Sequence, residues 1–221
     1  MEERVIVVRK PQIKICGLTR VEDAKALNEA QADYAGFVFY EKSKRNVSIK
    51  EAEEIESYLN DKIKKVAVTV NPDVKLLEQI EQAGFHILQV HGELKKEVLE
   101  KSQIPIWRAC NLKKSQDMEE LEHHEKITGY VIDAGTAGSG ETFAWEEHQE
   151  ELSKMRETVF AGKQFILAGG LHAGNVKKGI ELFSPDVVDV SSGVEGKQEQ
   201  SGKDKTLILE FVKKVREESL V

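Results

Sequence analysis

Short apolar runs alternate with amphipathic stretches along almost the whole chain. Runs rich in β-branched and aromatic residues predict strands over 12–16, 34–40, 65–70, 86–90, 104–109, 129–133, 164–168 and 187–191. Between and after them, apolar positions recur at helical spacing over 19–31, 48–59, 72–83, 93–101, 115–126, 145–159, 174–183 and 203–217. Start signals accompany several of these helices. Thr19 with Glu22, and Ser48 with Glu51, have the spacing of a capping box, in which a hydroxyl and a carboxylate satisfy free backbone donors of the first turn. Asn71-Pro72 has the form of a cap followed by a residue that tolerates the first helical position.

Strict alternation of strand and helix implies parallel strands joined by helical crossovers. Eight such units in 221 residues predict a single (β/α)8 barrel, one domain over 1–221, with a doubly wound open sheet as the alternative. Residues 1–11 stand apart as a lead-in. Arg4 to Arg9 is an apolar run between arginines, compatible with an added strand or with disorder.

Composition narrows the function classes. Apolar residues make up 40% and charged residues 32%, as in a soluble globular chain, and no apolar run reaches transmembrane length. Residues 1–12 are too short and too charged for a signal peptide. Two cysteines without a paired framework predict a reducing compartment, hence the cytoplasm. The net charge of −7 argues against a nucleic-acid partner. An anionic substrate must then be captured by local dipoles and a few basic side chains.

The candidate chemistry gathers at strand ends, where α/β proteins place their sites. Cys16 closes the first strand and Gly17 follows it; the alternative is a small buried hydrophobe. Asp133 closes the sixth strand as a candidate acid or base, or as a carboxylate capping its own loop. Arg45, in Lys42-Ser43-Lys44-Arg45, suits bidentate capture of a substrate carboxylate. Gln89 and His91 flank the end of the fourth strand as candidate hydrogen-bonding groups. Cys110, after the fifth strand, is a rival thiol. Ala168-Gly169-Gly170-Leu171 and Ser191-Ser192-Gly193-Val194 close the last two strands. In a barrel these loops are neighbours, and their exposed N–H groups form the usual phosphate site.

Two features lead away from other chemistries. Gly135 to Thr142 has nearly the spacing of a nucleotide-binding loop, but Glu141 stands where that loop needs lysine. The segment is better suited to a flexible loop over the mouth. His123 and His124 are adjacent on a charged helical stretch, face different directions, and make no metal site.

Taken in order, these stretches resemble phosphoribosylanthranilate isomerase. The resemblance rests on Lys14-Ile15-Cys16-Gly17, Gly36-Phe37-Val38-Phe39-Tyr40 with Lys42 to Arg45, Gln89-Val90-His91-Gly92-Glu93, and Asp133. It continues with Gly138-Ser139-Gly140 and Thr142-Phe143, Ala168 to Leu171, Asp189 to Glu195, and Gly202-Lys203-Asp204. The family pattern departs at Glu141 and Ala144, where lysine and aspartate are usual. The resemblance implies a cofactor-free Amadori rearrangement of N-(5-phosphoribosyl)anthranilate in tryptophan biosynthesis. It implies that Asp133 is the general acid and Cys16 the general base, that Arg45 holds the anthranilate carboxylate, and that Gly170 with Ser192-Gly193 holds the phosphate. No metal, nucleic acid or membrane is implied; the partner is a small phosphosugar, and the chain is expected as a monomer or homodimer.

A basic thiol needs help, since its ordinary pKa near 8.5 leaves little thiolate at neutral pH. Lys14, two residues earlier on the same strand face, is the candidate cation to lower it. The alternatives are another phosphosugar barrel, such as the histidine-pathway isomerase, and a non-catalytic phosphate-ligand sensor. The first resembles a design with a carboxylate at the position of Cys16, and the second has no need of both Cys16 and Asp133.

Overall fold

The computed structural model describes residues 10–111, 124–133, 145–158, 160–196 and 202–217. Eight parallel strands form a closed barrel in sequence order: β1 (Gln12–Cys16), β2 (Tyr34–Phe39), β3 (Lys64–Val70), β4 (Ile87–His91), β5 (Ile106–Asn111), β6 (Ile127–Asp133), β7 (Gln164–Ala168) and β8 (Val187–Val190). The β1–β8 pairing closes the ring, with Lys14 in register with Asp189. Closure excludes the open-sheet alternative. The helices are α1 (Val21–Ala30), α2 (Ile49–Glu56), α3 (Val74–Gln82), α4 (Lys96–Lys101), α5 (Trp145–Glu157), α6 (Val176–Phe183) and α7 (Lys205–Arg216). None of them is long and apolar enough to cross a membrane.

Strand alternation sorts the side chains into two cores. Tyr34, Val66, Ile87, Trp107, Val131, Ile166 and Val187 fill the barrel. Tyr34 and Trp107 meet there edge to face, with ring centroids 5.1 Å apart. Ile13, Ile15, Phe37, Leu88, Tyr130 and Val188 face outward and pack with helix residues such as Leu27, Ile80 and Phe211. Burial of both sets is what stabilises a barrel, so the strands read as nearly continuous apolar runs.

Several boundaries differ from expectation. β5 begins and ends two residues later than expected, so Cys110 lies within the strand and not after it. Ser48 and Glu51 do form a capping box, with Ser48 N donating to Glu51 Oε2 at 2.7 Å and Glu51 N to Ser48 Oγ at 3.2 Å. The other two caps are displaced. At α1 the capping carboxylate is the buried Asp23, not Glu22; it accepts from Thr19 N at 2.9 Å and Arg20 N at 3.1 Å. It also accepts from the backbone N of Lys203 at 3.1 Å, tying the β1 loop to the approach to α7. At α3 the cap is Asp73, which accepts from Leu76 N at 2.8 Å. Asn71 instead takes a left-handed φ of 49° and accepts from Glu93 N at 2.6 Å. The helix expected over 115–126 lies largely outside the described residues, and 124–126 is the turn into β6. The lead-in before Lys10 and the segment 134–144, with its Glu141 and Ala144, also lie outside them.

Candidate active site

A cavity of about 410 Å³ opens at the C-terminal ends of the strands. Cys16, Arg45, Gln89, His91, Asp133, Gly169, Gly170 and Ser192 all line it, so residues from six strands or their loops converge as expected of a barrel mouth. Cys110 does not: strand alternation points it outward, into the apolar layer against the helices, where it is 2% exposed. The fifth-strand thiol is therefore a core residue.

Beneath the mouth, Lys14 is fully buried and donates to Asp189 Oδ2 at 2.8 Å. Its charge also acts on the neighbouring Cys16 thiol. Gly36, in register with Cys16, leaves space for both. A Cβ on Gly36 would stand 2.9 Å from Cys16 Sγ and 3.2 Å from Lys14 Nζ. Burial works against a charge on Lys14, but Asp189 and Cys16 outweigh it and raise the ammonium above its ordinary value.

The thiol departs from the expectation that Lys14 lowers its pKa below the ordinary one. Burial pushes Cys16 up, Lys14 and Lys203 pull it down, Asp189 opposes them, and burial prevails. The cation is where the sequence placed it, but a deep apolar setting disfavours a thiolate by more than it contributes.

At the far wall, Gln89 Nε2 lies 3.0 Å from His91 Nε2. Burial, Lys14 and Arg108 push His91 down to about 4, so its ring is neutral at ordinary pH and accepts from the Gln89 amide. Asp133 stands at the end of β6, in register with Ala168 of β7.

Arg45 comes from the loop after β2, and its Nε donates to Glu195. Glu195 also pairs with Lys203 and Lys44, each at 3.1 Å. Burial alone would push the Glu195 carboxyl up, but Arg45 and Lys203 hold it down to about 2. With Nε engaged, Arg45 Nη2 is buried without a hydrogen-bond partner among the described residues, and Arg45 lines the cavity. A planar guanidinium held at Nε, with Nη2 unfilled, suits an anionic ligand.

The two glycine-rich loops are neighbours. Gly169 and Gly170 have φ of 89° and 63°, a backbone that favours glycine. Gly193 lies on the Leu171 carbonyl so closely that a Cβ there would collide with it. Ser191 and Ser192 form the cavity wall, while Gly193 packs behind them and is not part of the lining. Ser191 Oγ donates to the Cys16 carbonyl at 2.9 Å, and Lys203 Nζ donates to the Ser191 carbonyl at 3.1 Å. This chain of bonds links the β8 loop to the base of the thiol.

Sequence reasoning gave no role to Asp189, Glu195, Lys203 or Gly36. One signal was available: a charged residue inside an apolar strand, as in Val-Val-Asp-Val of β8, is costly unless paired. Among the described residues, no cluster of three or more His, Cys, Asp or Glu is arranged to hold a metal ion.

A closed parallel barrel with a thiol, a carboxylate and an arginine around its mouth is a (β/α)8-barrel enzyme scaffold. The family model for N-(5'-phosphoribosyl)anthranilate (PRA) isomerase matches residues 13–214, and the chain belongs to this family. It is 36% identical over 211 residues to the N-(5'-phosphoribosyl)anthranilate isomerase of Clostridium acetobutylicum, covering 93% of this chain and 98% of that one. The Streptococcus mutans enzyme of the same name is 38% identical over 206 residues, with the same coverage. The crystal structure of the Thermotoga maritima phosphoribosylanthranilate isomerase superposes with a TM-score of 0.79 at 33% identity, covering 93% of this chain and 98% of that one. A further isomerase structure, in complex with reduced 1-(o-carboxyphenylamino)-1-deoxyribulose 5-phosphate, superposes with a TM-score of 0.77 at 32% identity and the same coverage.

Proposed function

We infer that this chain is a phosphoribosylanthranilate isomerase of tryptophan biosynthesis, with Asp133 as its general acid and Cys16 as its general base. The observation that carries these roles is that β1 and β6 deliver one thiol and one carboxylate to the same cavity, whose wall also holds a half-free arginine and two glycine-rich loops.

The reaction needs a proton delivered to one atom and removed from another. Asp133 gives its proton to the furanose ring oxygen, the bond from C1′ to that oxygen breaks, and the nitrogen lone pair forms a C1′ iminium. Cys16 as thiolate then takes the proton from C2′. Those electrons form the C1′–C2′ double bond, the iminium π pair returns to nitrogen, and an enolamine results. Transfer of the enol proton to C1′ gives the ketone. The substrate has gained one proton and lost one, with no external oxidant or reductant. The iminium supplies the positive charge that Lys14 alone does not, so thiolate is favoured only once the ring has opened. Arg45 takes the anthranilate carboxylate, and Gly170 with the Ser192-Gly193 turn takes the phosphate. Gln89 and His91 supply neutral polar contacts. A monomer or a homodimer accords with the Thermotoga maritima relative, a dimeric protein of which monomers have been generated.

The test is turnover of freshly generated phosphoribosylanthranilate, followed by loss of anthranilate fluorescence. Wild type and Cys110→Ala turn over substrate, while Cys16→Ala and Asp133→Asn lose about a hundredfold or more in kcat. Near-normal turnover by either of the latter overturns that residue's role, and an inactive wild type overturns the isomerase reading.

A further inference from the structure

Asp189 has an unbalanced carboxylate. It sits one residue from the end of β8, is 7% exposed, and lines the cavity. Lys14 occupies Oδ2 at 2.8 Å. Oδ1 is buried and has no hydrogen-bond partner among the described residues. An ionised carboxylate only accepts, and an unfilled acceptor in such a site carries a desolvation cost that a bound donor removes. The ligand's carboxylate and phosphate are excluded from this position by charge. The donors that remain are the sugar hydroxyls and the aryl-amine N–H, and the latter is taken by the ortho carboxylate of its own ring.

Position selects among the hydroxyls. Asp189 and Cys16 stand on adjacent strands of the closed barrel, Asp189 in register with Lys14 two residues before Cys16, and both line the cavity. A group that meets Asp189 Oδ1 is therefore next to the thiol. Among the described residues, Gln89 Oε1 is the other buried side-chain acceptor of the lining without a partner, but β4 lies three strands around the barrel from β1. Resting on the isomerase reading above, we propose that Asp189 is a further substrate-binding residue whose Oδ1 accepts a hydrogen bond from the hydroxyl on C2′, the carbon that Cys16 deprotonates. This bond strengthens as the reaction proceeds, because an enol hydroxyl is a better donor than an alcohol. Asp189 thus contributes more to the transition state than to the ground state. Lys14 holds the carboxylate by Oδ2 and so fixes its orientation.

The test is binding, read by anthranilate fluorescence, of two unreactive probes. One is the reduced product analogue, 1-(2-carboxyphenylamino)-1-deoxyribitol 5-phosphate, and the other is its counterpart lacking the C2 hydroxyl. Wild type binds the hydroxyl-bearing probe about ten- to a hundredfold more tightly, the range for a hydrogen bond to a charged group. Lys14→Met/Asp189→Leu replaces the whole ion pair with apolar groups of similar size, a change buried pairs tolerate. This variant binds the two probes equally to within about threefold. Asp189→Asn, a near-isosteric change that needs no repacking, cuts the wild-type preference by about fivefold or more. Wild type binding both probes alike overturns the role of Asp189 and leaves the isomerase reading standing. Full preference retained by either variant does the same. Wild type binding neither probe removes the isomerase reading, and this inference with it.

Discussion

Glu195 holds Arg45 by its Nε edge, from a loop six strands further along the chain. The same carboxylate is anchored by the buried Lys203 Nζ at 3.1 Å. A guanidinium on a long side chain has many rotamers, and fixing Nε leaves Nη2 aimed before the ligand arrives. Glu195→Gln therefore raises KM by about tenfold with a smaller change in kcat, a split that steady-state kinetics resolves. Equal loss in both parameters would instead place Glu195 in the chemical step.

The acidity of Glu195 makes a separate prediction. Its carboxyl is depressed from 4.5 to about 2 in the folded chain. A depressed carboxylate stabilises the fold above its unfolded pKa, and that contribution disappears as pH falls through the folded value. The difference in Tm between wild type and Glu195→Gln is fullest above about pH 5 and shrinks toward pH 2, as a calorimetric series would record.

Lys14→Met removes the cation that counters burial at Cys16, so the thiol pKa rises further. The rate of iodoacetamide alkylation of Cys16, followed against pH in a Cys110→Ala background, shifts to higher pH. An unshifted profile would mean that Lys14 does not influence the thiol. The change also leaves Asp189 buried without its partner, and stability falls by roughly 3–5 kcal/mol, measured by denaturant unfolding.

Gly36→Ala places a methyl group 2.9 Å from Cys16 Sγ and 3.0 Å from Cys16 Cα. The thiol or the strand must move, at a cost of about 1–3 kcal/mol in stability. Displacement of a base by a fraction of an ångström lowers kcat by about tenfold or more while leaving KM nearly constant, since Gly36 does not line the cavity.

His91 is pushed down to about 4 by burial and by the charges of Lys14 and Arg108. The unfolded chain binds its proton near 6.5 and the folded chain only near 4, so stability drawn from this residue falls as pH drops through that interval. The pH dependence of kcat between 6 and 8 consequently carries no His91 limb. An NMR titration of the ring with a midpoint near 6.5 would contradict its placement.

Much of this was legible in the sequence. Alternation of short apolar runs with helical periodicity predicted eight strands in order, because a barrel covers both strand faces and leaves little else for the pattern to mean. Cys16, Asp133, Arg45, Gln89, His91, Gly169, Gly170 and Ser192 were all found at strand ends or in the loops after them, and all line one cavity. The two displaced caps share one cause, long-range neighbours. Asp23 outcompetes Glu22 as the cap because folding also brings it the Lys203 N–H. Asn71 is drawn away from α3 by the N–H of Glu93. The thiol's acidity was misjudged because proximity to Lys14 was visible and depth was not. Cys110 was expected just past β5, but the strand runs on to Asn111, and alternation with the inward-facing Ala109 turns Cys110 out against the helices.

The Lys14–Asp189 contact joins residues 175 positions apart, and it exists only where β1 meets β8. No partial assembly of strands supplies it: a chain stopped before β8 has Cys16 and Lys14 but not the carboxylate that orders them. Cys16 is thus a reporter of ring completion, and its rate of labelling during refolding times the joining of the first strand to the last.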